Sequence, residues 1–173
     1  SFAQPQIAWQ MVRSAQPILD NIGQGAFIVK QSGVLLISEG DRFSTSQIEH
    51  INTTSNWTPA NIYLVTDNQV TPIPLTTAEG NRSYAAATSF ESSTLIIGGK
   101  VNGKASGLVN LISVSEKENK ISSYQLPNLP VDLLYPSATL VGNTLYVMGS
   151  APNSYKFFAM ELGETANNLE GQH

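Results

Sequence analysis

Cysteine is absent from this chain of 173 residues. That excludes a disulfide framework and any thiolate zinc site, and it suits an oxidising compartment. Charge is also scarce. Asp, Glu, Lys and Arg make up 13% of the chain, against about a quarter in soluble domains generally. Few charges among many Ser, Thr, Asn and Gly fit an all-β protein rich in turns, since helical bundles need more Glu, Lys and Ala. Histidine occurs only at His50 and His173. Two distant imidazoles without clustered carboxylates predict no metal site and no cofactor. No apolar run nears the roughly 18 residues of a membrane span, and the formal net charge of −4 argues against nucleic acid as a partner. There is no glycine-rich phosphate loop between a strand and a helix, and Ser, His and Asp stand in no order that makes a triad.

What the chain does have is a repeat. Three segments of equal length align without gaps: Ala26 to Gly40 (AFIVKQSGVLLISEG), Ala85 to Gly99 (AAATSFESSTLIIGG) and Pro136 to Ser150 (PSATLVGNTLYVMGS). Each is a half-apolar run, a short polar or glycine turn and a strongly apolar run, the pattern of a β-hairpin. Each closes on Glu39-Gly40, Gly98-Gly99 or Gly149-Ser150. The second run of each is apolar throughout, which predicts a strand buried on both faces. A third apolar strand follows each hairpin, at 61–65, 108–114 and 155–160, and a fourth follows in the first two repeats, at 69–75 and 121–126.

Four antiparallel strands recurring at about 50 residues make the blade of a β-propeller, and the paired glycines are its kelch form. The expected fold is therefore an all-β, kelch-type β-propeller: about three four-stranded blades of a six-bladed ring. The blades are expected at 20–75, 80–126 and 133–162, the last lacking its fourth strand. Residues 7–12 (IAWQMV) read as a closing outer strand, and the tail from Gly163 to His173 is polar. Three blades are too few to close a ring. Either about half of the polypeptide is missing from this chain, or a second copy of the chain completes the ring.

At this point the residues resemble a known family, the kelch-type sialic-acid mutarotases (N-acetylneuraminate epimerases), in their cyclically permuted branch. Asn81-Arg82-Ser83-Tyr84-Ala85 followed by Leu95-Ile96-Ile97-Gly98-Gly99 is similar to that family's Gly-Arg-Ala-Tyr-Gly and Leu-Ile-Ile-Gly-Gly pattern. Asp20-Asn21 through Leu36-Ile37 looks like another of its blades. Leu126-Pro127-Asn128-Leu129-Pro130 leads into a blade that non-permuted members carry first, and Tyr155 to Phe158 ends the similarity. The resemblance covers nearly the whole chain but only half of a family member, which favours the missing half over the second copy. It implies an isomerase that interconverts the anomers of N-acetylneuraminate or a related sugar acid. The thioether cofactor of copper-radical kelch oxidases is excluded, because it needs a cysteine.

In a kelch blade the approach to the innermost strand and the loop leaving the second strand emerge on the same side of the ring. That places Asp20, Asn21 and Arg82 on the approaches, and Glu39, Asp41, Arg42, Lys100 and Asn102 at or beyond the small-residue ends. Opening a sugar ring requires a proton taken from the anomeric hydroxyl and one delivered to the ring oxygen, which is general acid–base work. The substrate's carboxylate requires a cation, and arginine offers it two parallel donors. Arg82 matches the family's arginine and takes the carboxylate, or else braces neighbouring strands. Glu39 is the candidate acid or base, with a solvated loop carboxylate as its other reading. Asn21, Asp41, Arg42, Tyr84, Lys100 and Asn102 are the remaining candidates for binding the substrate, a small sugar acid.

The loop from Phe43 to Pro59 is long enough to be a lid or a variable insertion. Ser1-Phe2-Ala3 before Gln4 looks like the small-x-small end of a signal peptide, which points to a periplasmic or secreted protein. An arbitrary start to the chain is the other reading, and would leave it cytoplasmic. The alternative function is a non-catalytic kelch propeller binding carbohydrate or protein, since the fold serves both.

Overall fold

Runs of β-branched and aliphatic residues broken by Gly, Asn, Ser and Pro form short strands joined by tight turns, and strands account for the regular structure of this chain. The computed structural model describes residues 25–31, 34–38, 40, 61–65, 70–74, 82–101, 103–115, 117 and 120–163. Among these residues there are strands in four antiparallel sheets and no helix, so none long and apolar enough to cross a membrane.

The first sheet is a meander of β1 (Ile28–Gln31), β2 (Val34–Ser38), β3 (Asn61–Val65) and β4 (Val70–Pro74), each strand paired with the next. A short three-stranded ribbon follows from β5 (Arg82–Ser83), β8 (Lys100–Val101) and β9 (Lys104–Ala105). The second meander is β6 (Ala86–Phe90), β7 (Ser93–Ile97), β10 (Val109–Ser115) and β11 (Lys120–Leu126). The third is β12 (Leu134–Val141), β13 (Thr144–Ala151) and β14 (Ser154–Glu161). The three repeated segments are thus the hairpins β1–β2, β6–β7 and β12–β13. Glu91 (φ 51°) and Gly142 (φ 59°) supply left-handed backbone to two of the turns, as two-residue hairpin turns require.

The sheets stack in series. Val29, Leu36, Ile62, Leu64 and Ile73 of the first pack with Ile96 and Ile112 of the second. The opposite side of the second, through Phe90, Leu95, Ile97 and Leu111, packs with Leu133, Leu145 and Val147 of the third. Across the first of these interfaces the Thr94 hydroxyl donates to Gln31 Oε1 at 3.1 Å, between two buried residues. Tyr63 is buried beside Val65 on the other side of the first sheet.

Two expectations need correction. Of the three strands formed by the second runs, β7 alone is buried on both faces along its whole length. In β13 burial alternates, because the side carrying Met148 has no sheet against it among the described residues, and Leu35 of β2 is likewise exposed. The ribbon β5–β8–β9 was not expected at all. It arises because Ser83 pairs with Lys100 and Arg82 with Val101, turning what read as approach and exit loops into strands.

Candidate functional site

The residue immediately ahead of each hairpin repeat has a left-handed backbone: Gly25 at φ 71°, Tyr84 at φ 55° and Tyr135 at φ 49°. That conformation costs a residue with a Cβ roughly 1–2 kcal/mol, so its recurrence at one repeat position reflects the chain path into each hairpin. These three positions lie in series. The Tyr84 amide donates to the Gly25 carbonyl at 2.8 Å. A Cβ on Gly25 would stand 2.5 Å from the Tyr84 ring, so glycine is required there. The Tyr84 and Tyr135 rings meet edge to face, 5.0 Å between centroids and 83° between planes.

Lys100 closes the group from the other strand pair. It leaves the double glycine, and its register opposite Ser83 carries its side chain back over Tyr84, with Nζ 4.9 Å from the ring centroid. The approach is tight because Gly99 (φ 86°) has no Cβ. One would lie 2.5 Å from the Ser83 carbonyl oxygen and 2.7 Å from the Ala85 nitrogen. The Gly98 amide donates to Leu108 O at 2.9 Å, the Gly99 amide to Leu133 O at 3.0 Å and the Ser106 amide to Gly99 O at 2.9 Å. The bond to Leu133 ties the double glycine to the approach of the third hairpin, and the other two hold it to the segment entering β10. The result is a cation lying on the face of Tyr84, whose ring also meets edge to face a second, more exposed ring, Tyr135 at 58%. Such a group can hold an anion beside an apolar sugar face.

Arg82 points the other way. It is 1% exposed. Its Nη1 donates to the carbonyls of Ile96 at 3.1 Å and Leu108 at 3.4 Å, and Nη2 donates to Asn110 Oδ1 at 2.7 Å. The guanidinium ties β5 to β7 and β10 from within, which is the bracing geometry. Of the candidates named from sequence, the structure brings Tyr84 and Lys100 together and places the Arg82 guanidinium in the interior. Glu39, Asn21, Asp41, Arg42 and Asn102 lie outside the described residues, as do Asp20, His50, His173, the strand at 7–12 and the loop at 43–59.

Two residues escaped the sequence reading. Tyr135 was marked by its position, since it precedes the third hairpin as Tyr84 precedes the second. Asn110 was marked as the polar residue in the apolar run Val109-Asn110-Leu111-Ile112, a position that requires a buried partner. Among the described residues no three His, Cys, Asp or Glu side chains gather where a metal ion could be held. No protein-family model matches the sequence, and no curated protein matches it either.

Proposed function

We propose that the chain supplies three blades of a kelch-type β-propeller, and that the side carrying Tyr84, Lys100 and Tyr135 receives a sugar acid that the protein interconverts between anomers. The reading is supported by the three meanders in series and by the resemblance of residues 81–85 and 95–99 to sialic-acid mutarotases. The observation that carries it is the convergence of the residues ahead of the second and third hairpins with the one leaving the double glycine. Two tyrosines occupy strained backbone there, where a glycine serves in the first repeat, and strain of this kind concentrates at binding sites.

In this proposal Lys100 holds the substrate carboxylate as a point charge, and Tyr84 and Tyr135 bear against the sugar ring. Arg82 positions the site from behind by fixing β5, the strand that carries Ser83 opposite Lys100. A carboxylate, Glu39 by its place in the repeat, takes the proton from the anomeric hydroxyl. A proton delivered to the ring oxygen completes the cleavage of the bond between that oxygen and the anomeric carbon, and reclosure from the opposite side of the carbonyl gives the other anomer. Asn21, Asp41, Arg42 and Asn102 would complete the polar lining, and the periplasm or cell exterior is the compartment that fits.

The test is proton NMR of freshly dissolved crystalline N-acetylneuraminate with the native particle. Acceleration of anomer equilibration, lost in Glu39→Gln, supports the isomerase; an unchanged rate rejects it. A second reading, a non-catalytic kelch module, is favoured by the interior position of Arg82, since the arginine matched to the family is engaged with the fold. Binding of the sugar acid without acceleration would select it.

A further inference from the structure

The two inter-sheet interfaces obey one rule of register. Gln31 and Leu36 of the first hairpin, and the repeat-equivalent Phe90 and Leu95 of the second, face the following sheet. Their equivalents in the third hairpin are Val141 and Tyr146. Val141 and, farther along the same face, Met148 are exposed, at 64% and 54%, and Phe157, 68% exposed, stacks on Tyr146 with 6.0 Å between ring centroids. At the other end of the stack, Ile28 and Leu35 hold the positions of Ala87 and Thr94, which face the preceding sheet in the second hairpin. They too are exposed, at 62% and 37%. Each end therefore displays one half of an interface that the chain makes twice internally.

We propose that a second copy of this chain seats its first sheet on the outer face of the third, head to tail, in the register used inside. The sheets meet along their first strands, β1 against β6 and β12 against β6. That is the part of the first sheet's outer side left open, Tyr63 and Val65 farther out being covered. The receiving face has an open groove lined by Ser137, Ala138, Thr139, Tyr146, Met148 and Phe157. The incoming face carries the larger apolar Ile28 at the repeat position that Ala87 and Ala138 hold in the second and third hairpins. Charge agrees as well, since Lys30 lies on the incoming face and Glu161 on the receiving one, both exposed. A head-to-tail contact closes into a ring of two when the rotation permits.

Because Thr94 touches Gln31, the rule places Leu35 of one copy over Val141 of the next. The chain has no cysteine, so single thiols report the contact cleanly. Full-length Leu35→Cys and Val141→Cys proteins, one of them isotope-labelled, are mixed and treated with a short bismaleimide. The predicted product is the mixed dimer, with little of either homodimer, and a sedimenting particle of twice the chain mass. Met148→Lys, at an exposed position that does not threaten folding, should weaken this dimer by about tenfold or more. A monomer at tens of micromolar, homodimers in place of the mixed product, or a dimer indifferent to Met148→Lys would overturn the proposal. The first of these outcomes would leave the face to further sheets of a longer polypeptide.

Discussion

Arg82 Nη2 donates to Asn110 Oδ1 at 2.7 Å inside the second meander, so a residue with the look of a substrate ligand is held by the fold. Its Nη1 reaches the carbonyls of Ile96 and Leu108. Removing the side chain takes the Arg82 donor from Asn110 Oδ1 in the interior, whereas Leu108 O still accepts from the Gly98 amide, and a buried group left unsatisfied costs about 1–3 kcal/mol. Arg82→Ala should therefore lower stability by about 1–3 kcal/mol, read as the midpoint shift in urea. Arg82→Lys, which keeps the charge but loses the planar fork, should recover only part. An unchanged midpoint in Arg82→Ala would refute the bracing role.

The double glycine separates two costs of adding a methyl group. At Gly99 a Cβ would meet backbone atoms of Ser83 and Ala85 at 2.5 to 2.8 Å, whereas at Gly142 nothing lies within 4 Å. Both residues have positive φ. Gly142→Ala should cost only the conformational term, roughly 1–2 kcal/mol. Gly99→Ala should cost clearly more, and should also disturb the Lys100 position. Equal losses at the two sites would contradict the close approach described for Gly99.

Tyr135 tests whether strain has been kept for binding. Tyr135→Gly relieves a left-handed backbone worth roughly 1–2 kcal/mol and forfeits an edge-to-face contact worth about 0.5–1.5 kcal/mol. Net stability should thus change little or rise, while affinity for a sugar acid falls. A variant that binds as the parent does would remove Tyr135 from the site.

The sides of the third meander should respond unequally to truncation. Leu145 is buried against the second sheet, so Leu145→Ala should cost about 2–5 kcal/mol. Met148→Ala, on the outer side, should cost under about 1 kcal/mol in dilute protein, where no partner covers it. Comparable losses in denaturant titrations would show that the outer side is already packed.

Much of this architecture was legible because it is local. The hairpins announce themselves as apolar runs interrupted by Glu91-Ser92 or Gly142-Asn143, and the small residues after β7 mark where the chain must pass close to Ser83 and Ala85. The ribbon β5–β8–β9 was not legible. Its strands are two residues long, too short for any periodicity, and it exists only because distant segments meet. The interior position of Arg82 was hidden for a similar reason, since arginine ordinarily lies at the surface and only the lone Asn110 in its apolar strand hinted at a buried partner. Lys100 was found from the blade rule and Tyr84 from the motif that carries the family resemblance, but their contact depends on backbone φ, which side-chain identity does not reveal where the residue is tyrosine.

The central claim, that the Tyr84–Lys100–Tyr135 group receives a sugar acid, is tested most directly by titrating N-acetylneuraminate into the native particle and into Lys100→Met. The account predicts binding to the parent that weakens about tenfold or more when the cation is lost, on the scale of a charge-assisted hydrogen bond of about 1.5–3 kcal/mol. It also predicts that a neutral sugar will not respond to the substitution. Equal affinity of the parent and Lys100→Met for the acid, or no binding by the parent, would contradict it.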